Sequence, residues 1–117
     1  METTNFNDTS LVILNALRKS QPNKPIFVSE FWPGWFDQWG DKTHYTHKLK
    51  HFEKELTDVL FIANASVNFY MFTGGTNFGF TNGGEPNRGV VTSYDYDSPI
   101  SESGTYCLLE SNLNFYF

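Results

Sequence analysis

The stretch SLVILNALRKSQP, residues 10–22, repeats apolar positions at helical spacing, with Leu11, Leu14 and Leu17 on one face. Ser10 offers an N-cap hydroxyl, Arg18 and Lys19 fall in the last turn, and Pro22 closes the run. A helix starting at Ser10 is predicted. In PIFVSEF, 25–31, apolar residues occupy both parities, which predicts a short strand covered on both faces. Pro33, Gly34 and Gly40 then interrupt regular structure. Residues 43–65, THYTHKLKHFEKELTDVLFIANA, predict a long amphipathic helix. Leu49, Phe52, Leu56, Val59 and Leu60 form its stripe, while Lys48, Lys50, Glu53, Lys54 and Asp58 lie elsewhere. SVNFYMF, 66–72, predicts a second strand. Residues 1–9 are polar and predict irregular chain. Residues 73–104 are rich in Gly, Asn and Pro, and a loop of that length usually carries a site. TYCLLESNLNFYF, 105–117, has no period.

Helix, strand, helix, strand and long loop make a βαβ unit, hence parallel strands and a right-handed crossover. Two strands and two helices cannot close a sheet or cover both its faces. The expected fold class is α/β, a fragment of a larger domain, with an α/β barrel as the natural candidate. Residues 1–104 are expected to form that partial barrel, and 105–117 a divergent tail.

Composition narrows the function classes. The 117 residues carry a net charge of -5, which argues against nucleic acid and its preference for a basic stripe. Aromatic residues make up 18% of the chain, and carbohydrate sites are one use for that many rings, because a sugar's C–H face packs on an aromatic face. The one cysteine, Cys107, excludes an internal disulfide. No apolar run approaches the roughly 18 residues of a membrane span. METTNFNDTS lacks the apolar stretch of a signal peptide. Two sequons occur, Asn7-Asp8-Thr9 and Asn64-Ala65-Ser66.

Glu30 is the first candidate for chemistry. It sits at the end of a buried strand, where an acid is costly unless paired or used. In an α/β barrel such a position projects into the active-site mouth; an ion pair with a base elsewhere is the alternative. Asn68 and Tyr70 lie at or near the end of the second strand, where packing with satisfied polar ends is the simpler reading. Asp95 and Asp97 form an Asp-x-Asp of the kind that binds divalent ions in some glycosyltransferases, though most such pairs are solvated loops or caps. His44, His47 and His51 could share a helix face, and His47 with His51 could chelate at i, i+4; a solvated face is the simpler reading. Residues 74–79, GGTNFG, lack the ending of a phosphate loop and instead suit a tight turn.

Together SEFWPGWFDQWG, ASVNFYMFTGGTNFGF and TSYDYDSPISESG resemble the β-galactosidases of glycoside hydrolase family 35, in order and at matching spacing, over roughly residues 3–104. TTNF and the helix before QPNKPIFVSEFW resemble that family too. The resemblance implies a retaining exo-glycosidase on a (β/α)8 barrel, acting on terminal β-galactosyl groups. Glu30, on the seventh strand, would be the nucleophile. The acid/base, a Glu in an Asn-Glu pair on the fourth strand, is not in this chain. Tyr70, in the eighth-strand motif, and Tyr96 fall at sugar-contacting positions, and Trp35 at an aromatic wall of the pocket. Trp32 stands where family members often have Tyr, so a hydroxyl contact to the nucleophile or sugar would be missing. Trp32 and Trp35 are expected to shape the sugar pocket, Phe36 and Trp39 to pack the loop, and Asp95 to order it. The retaining mechanism that the resemblance implies needs two carboxyl groups about 5–5.5 Å apart and no metal or organic cofactor. Glu53, Glu85 and Glu102 are poor substitutes for the missing one, because none lies at a strand end. The isolated chain is therefore expected to be inactive. The alternatives are a non-catalytic sugar-binding or interaction remnant and an incompletely delimited coding sequence. By the same resemblance the compartment is lysosomal, vacuolar or extracellular, and the partner a β-galactoside.

Overall fold

The computed structural model describes residues 2–6, 8–85 and 87–106. Asn7 and the tail from Cys107 onward lie outside them. The chain divides into two compact units: residues up to 32 with 48–70, and 33–47 with those from 71 onward.

The first unit runs β1 (Thr4–Phe6), α1 (Ser10–Ser20), β2 (Phe27–Phe31), α2 (Leu49–Thr57), a π-helical turn (Asp58–Ile62) and β3 (Ser66–Phe69). The strands form one sheet in the order β1-β2-β3, both pairs parallel. This is a small α/β piece with three strands. Residues 4–6, expected to be irregular, pair as a strand with β2. Three mostly polar residues carry no signal of their own, so their strand state comes from the neighbour.

β2 holds the core. Val28 and Phe31 are fully buried, and Phe31 meets the rings of Phe6, Phe52 and Phe69 at 5.9, 5.5 and 5.7 Å. Leu14 and Leu17 of α1 and Phe52, Leu56 and Val59 complete it. Burying such a side chain contributes about 1.5–3 kcal/mol. No residue of β2 is exposed, in keeping with a strand covered on both faces, but its neighbours are open on one side. Asn5, Ser66 and Asn68 are exposed, so the helical side is apolar and the other side polar.

Both helix starts differ from expectation. Ser10 does not cap α1; Thr9 takes that place with a left-handed φ of 57° and no side-chain bond. The Ser10 N–H is instead bonded by buried Glu55 of α2, at 2.8 Å. The second helix begins at Leu49 rather than near residue 43. The Tyr45 N–H bonds Asp37 and the His47 N–H bonds Asp97, at 2.9 and 2.5 Å, so carboxylates take donors that a helix would need. His44 and His47 therefore precede the helix, and the expected histidine face does not form.

The second unit is mostly irregular, held by isolated bridges such as Gln38 with Val90, Thr76 with Ser93 and Thr73 with Ile100. Two glycines permit its packing. A Cβ at Gly34 would lie 2.1 Å from the Tyr96 carbonyl oxygen, and one at Gly74 1.6 Å from that of Tyr94.

Candidate active site

β2 contains one residue more than its neighbours require. Thr4 pairs with Val28 and Asn5 with Glu30, so one step on β1 matches two on β2. Val67 pairs with Val28 and Phe69 with Phe31, so two steps on β3 match three. Ser29 and Glu30 thus form a β-bulge against both partners, a device that re-aims side chains beside active sites. The bulge lets Val28 and Phe31, of opposite parity, align with the same-face pairs Thr4/Phe6 and Val67/Phe69.

On the polar side the bulge meets two asparagines. Ser29 Oγ donates to Asn5 Oδ1 at 2.6 Å, and Asn68 Nδ2 donates to the Ser29 carbonyl at 3.0 Å. Asn5, Ser29 with Glu30, and Asn68 make a polar row across the three strands. Glu30 is half-buried, and its Oε2 accepts a hydrogen bond from the indole Nε1–H of Trp32 at 3.0 Å. Tyr70 follows β3 directly, and its N–H bonds the Phe31 carbonyl at 2.9 Å. Glu30, Trp32 and Tyr70 are therefore gathered at the C-terminal ends of adjacent parallel strands. Sequence reasoning missed Asn5 and underused Asn68. Their places depend on register, which no short motif encodes.

Trp35 and Tyr96 belong to the second unit and meet there. Trp35 stacks on Phe36 at 4.9 Å, Phe36 on Tyr94 at 5.8 Å, and Tyr96 lies 5.3 Å from Tyr94 and 5.8 Å from Trp35. Tyr96 is 2% exposed and, like Asp97, has a left-handed backbone, φ 65° and 47°. Such strain in non-glycine residues persists only where surroundings impose it. Phe36 packs the loop as expected, whereas Trp39 is 64% exposed.

The Asp-x-Asp pair is committed to loop order: Asp97 to the His47 N–H, and Asp95 Oδ2 3.4 Å from His44 Nε2. His44 Nδ1 lies 2.5 Å from Asp37. That bond and the nearby acids raise the His44 pKa above its ordinary 6.5, against an opposing desolvation. Asp37 and His44 line an open cleft of about 170 Å³ with Gln38, Asp41, Lys42, Thr43 and Val91. Among the described residues, Asp8, His51 and Glu55 bring possible metal-ligand atoms within 4.8 Å of one another. Both Glu55 oxygens already accept bonds, from Ser10 N–H and Lys54 Nζ, so the cluster serves to tie α1 to α2.

A half-buried carboxylate in a bulge, at the end of the middle strand of a parallel sheet, suits nucleophilic or acid–base work. The family model of glycosyl hydrolases family 35 matches residues 1–109. The chain belongs to glycosyl hydrolase family 35. It is 46% identical to human beta-galactosidase-1-like protein 3 over 95 residues, covering 79% of this chain and 14% of that protein. It is 43% identical to the rat protein of that name over 109 residues, covering 91% and 17%. With human beta-galactosidase it shares 49% identity over 88 residues, 74% of this chain and 13% of that protein. The chain thus spans about a seventh of the length of these family 35 relatives.

Proposed function

We propose that this chain is the nucleophile-bearing sector of a retaining β-galactosidase, with Glu30 attacking the anomeric carbon of a terminal β-D-galactosyl group. The observation that carries this reading is the bulge that places Glu30 at a strand end with one oxygen held by Trp32. Sequential parallel strands with intervening helices fit a sector of a (β/α)8 barrel, with β2 and β3 as its seventh and eighth strands and β1 before them. Residues 1–104 form that sector and 105–117 diverge from it.

Attack by Glu30 forms a C1–O ester bond as the bond to the leaving oxygen breaks. A second carboxyl group, supplied by a strand outside this chain, protonates that oxygen and later activates water. Trp32 orients the nucleophile, Tyr70 lies beside it, and half-buried Trp35 offers a ring surface to the sugar, whereas Tyr96 is buried and serves to pack Trp35.

The test uses 2,4-dinitrophenyl 2-deoxy-2-fluoro-β-D-galactoside. Its leaving group needs no proton, so the missing acid is not required. Intact-mass and peptide analysis of the full chain should find a fluorogalactosyl ester on Glu30, absent from Glu30→Gln. A label elsewhere, or galactose binding without any adduct, would sink the nucleophile reading.

A further inference from the structure

We propose that Asn64 is an acceptor for an N-linked glycan, and that the glycan covers an apolar patch formed by Leu60, Phe61 and Ile62. Three observations carry this. Asn64-Ala65-Ser66 is a complete sequon, and Asn64 and Ser66 are both exposed. Asn64 follows the π-helical turn with a left-handed φ of 48°, and no hydrogen bond of its side chain is present among the described residues. Phe61 and Ile62, just upstream, are 77% and 63% exposed, and Leu60 is 37% exposed.

Such residues in sequence lie at the surface beside the acceptor, where a bulky, solubilising sugar does most to reduce apolar exposure. Phe61, three positions before Asn64 and 77% exposed, has an open aromatic surface on which the apolar C–H face of a sugar could pack. The position also keeps clear of the catalytic end of the sheet. Asn64 precedes the start of β3, whereas Tyr70 follows its end, and a strand of that length spans about 13 Å. A glycan there leaves the strand ends bearing Glu30 and Tyr70 open. The assignment of Asn64 as acceptor does not depend on the galactosidase reading.

The full chain, fused to a cleavable secretory leader, is translated with endoplasmic-reticulum microsomes and treated with peptide N-glycosidase. Conversion of Asn64 to Asp, located by peptide mass, is expected, and its loss in both Ser66→Ala and Asn64→Gly. Glycine suits the left-handed backbone, so the second variant removes the acceptor without strain. Recovery of Asn64 as unmodified asparagine from translocated protein overturns the assignment, whatever happens at Asn7. For the covering role, purified glycosylated chain should bind less of an apolar dye than enzymatically deglycosylated chain. That difference should vanish in Phe61→Ser. Equal dye binding by the two glycoforms overturns the shielding.

Discussion

The indole Nε1–H of Trp32 reaches Oε2 of Glu30, which in the proposed mechanism leaves Oε1 for attack. The hydroxyl contact expected to be missing at this position has an indole N–H donor in its place. This contact fixes the orientation of the carboxylate, and misplacing a reacting group by about 1 Å can cost on the order of a hundredfold, so Trp32→Phe should slow labelling of Glu30 roughly tenfold or more. Stopped-assay mass spectrometry reads that rate. Labelling at the wild-type rate would show that Trp32 does not position the acid. His44 gives a second residue-scale expectation. Its pKa is raised in the folded chain, so its stabilising contribution is fully present below about pH 6.5 and fades as pH rises through the raised value. An NMR titration of the His44 ring should give a midpoint above 6.5, and Asp37→Asn should move it back. An unmoved midpoint in Asp37→Asn would contradict the assigned cause.

At the scale of elements, two contacts distant in sequence set what local pattern could not. Glu55 satisfies the first N–H of α1 from 45 residues away, which is why the serine at position 10 misled as a cap. Burial opposes its charge, but the Ser10 N–H and Lys54 prevail and lower its pKa below 4.5. Its contribution is therefore present above that value and lost as pH falls through the lowered one. Glu55→Ala leaves a buried donor unmet and should cost about 1–3 kcal/mol in urea unfolding at neutral pH. The wild-type advantage should shrink in acid; an advantage independent of pH would refute the pairing. Gly74 is the corresponding device in the second unit. Gly74→Ala forces a methyl onto the Tyr94 carbonyl and should destabilise that unit by roughly 1–3 kcal/mol. Near-UV circular dichroism of the Trp35–Tyr96 cluster should weaken with it, and an unchanged spectrum would mean the loop yields easily.

For the whole molecule, the motifs around Glu30, Tyr70 and Tyr96 were legible because runs of unusual residue types survive without neighbours. Helix α1 and β2 were legible from period and parity. The strand at Thr4–Phe6, the delayed start of α2 and the polar row through Asn5 and Asn68 were not, since each depends on a partner elsewhere in the chain. Glu30 is the sole acid within the three strands. The chain should accordingly form the fluorogalactosyl ester yet fail to hydrolyse an unactivated β-galactoside, whose leaving oxygen must be protonated. Steady release of galactose from lactose by the purified chain would refute this division of labour.

The extra residue in β2 has a consequence for how this segment tolerates change in length. Deleting Ser29 would restore even pairing with both neighbours, and ordinary mutational reasoning would count that as a repair. Val28 and Phe31 could still be accommodated, but the acid would then follow the regular pleat, and the two asparagines would lose the backbone and hydroxyl that they hold. A more regular sheet would be a poorer site. Insertions and deletions should therefore be accepted in the loop after residue 73 far more readily than at this one position, where a single residue separates a well-paired strand from a usable one.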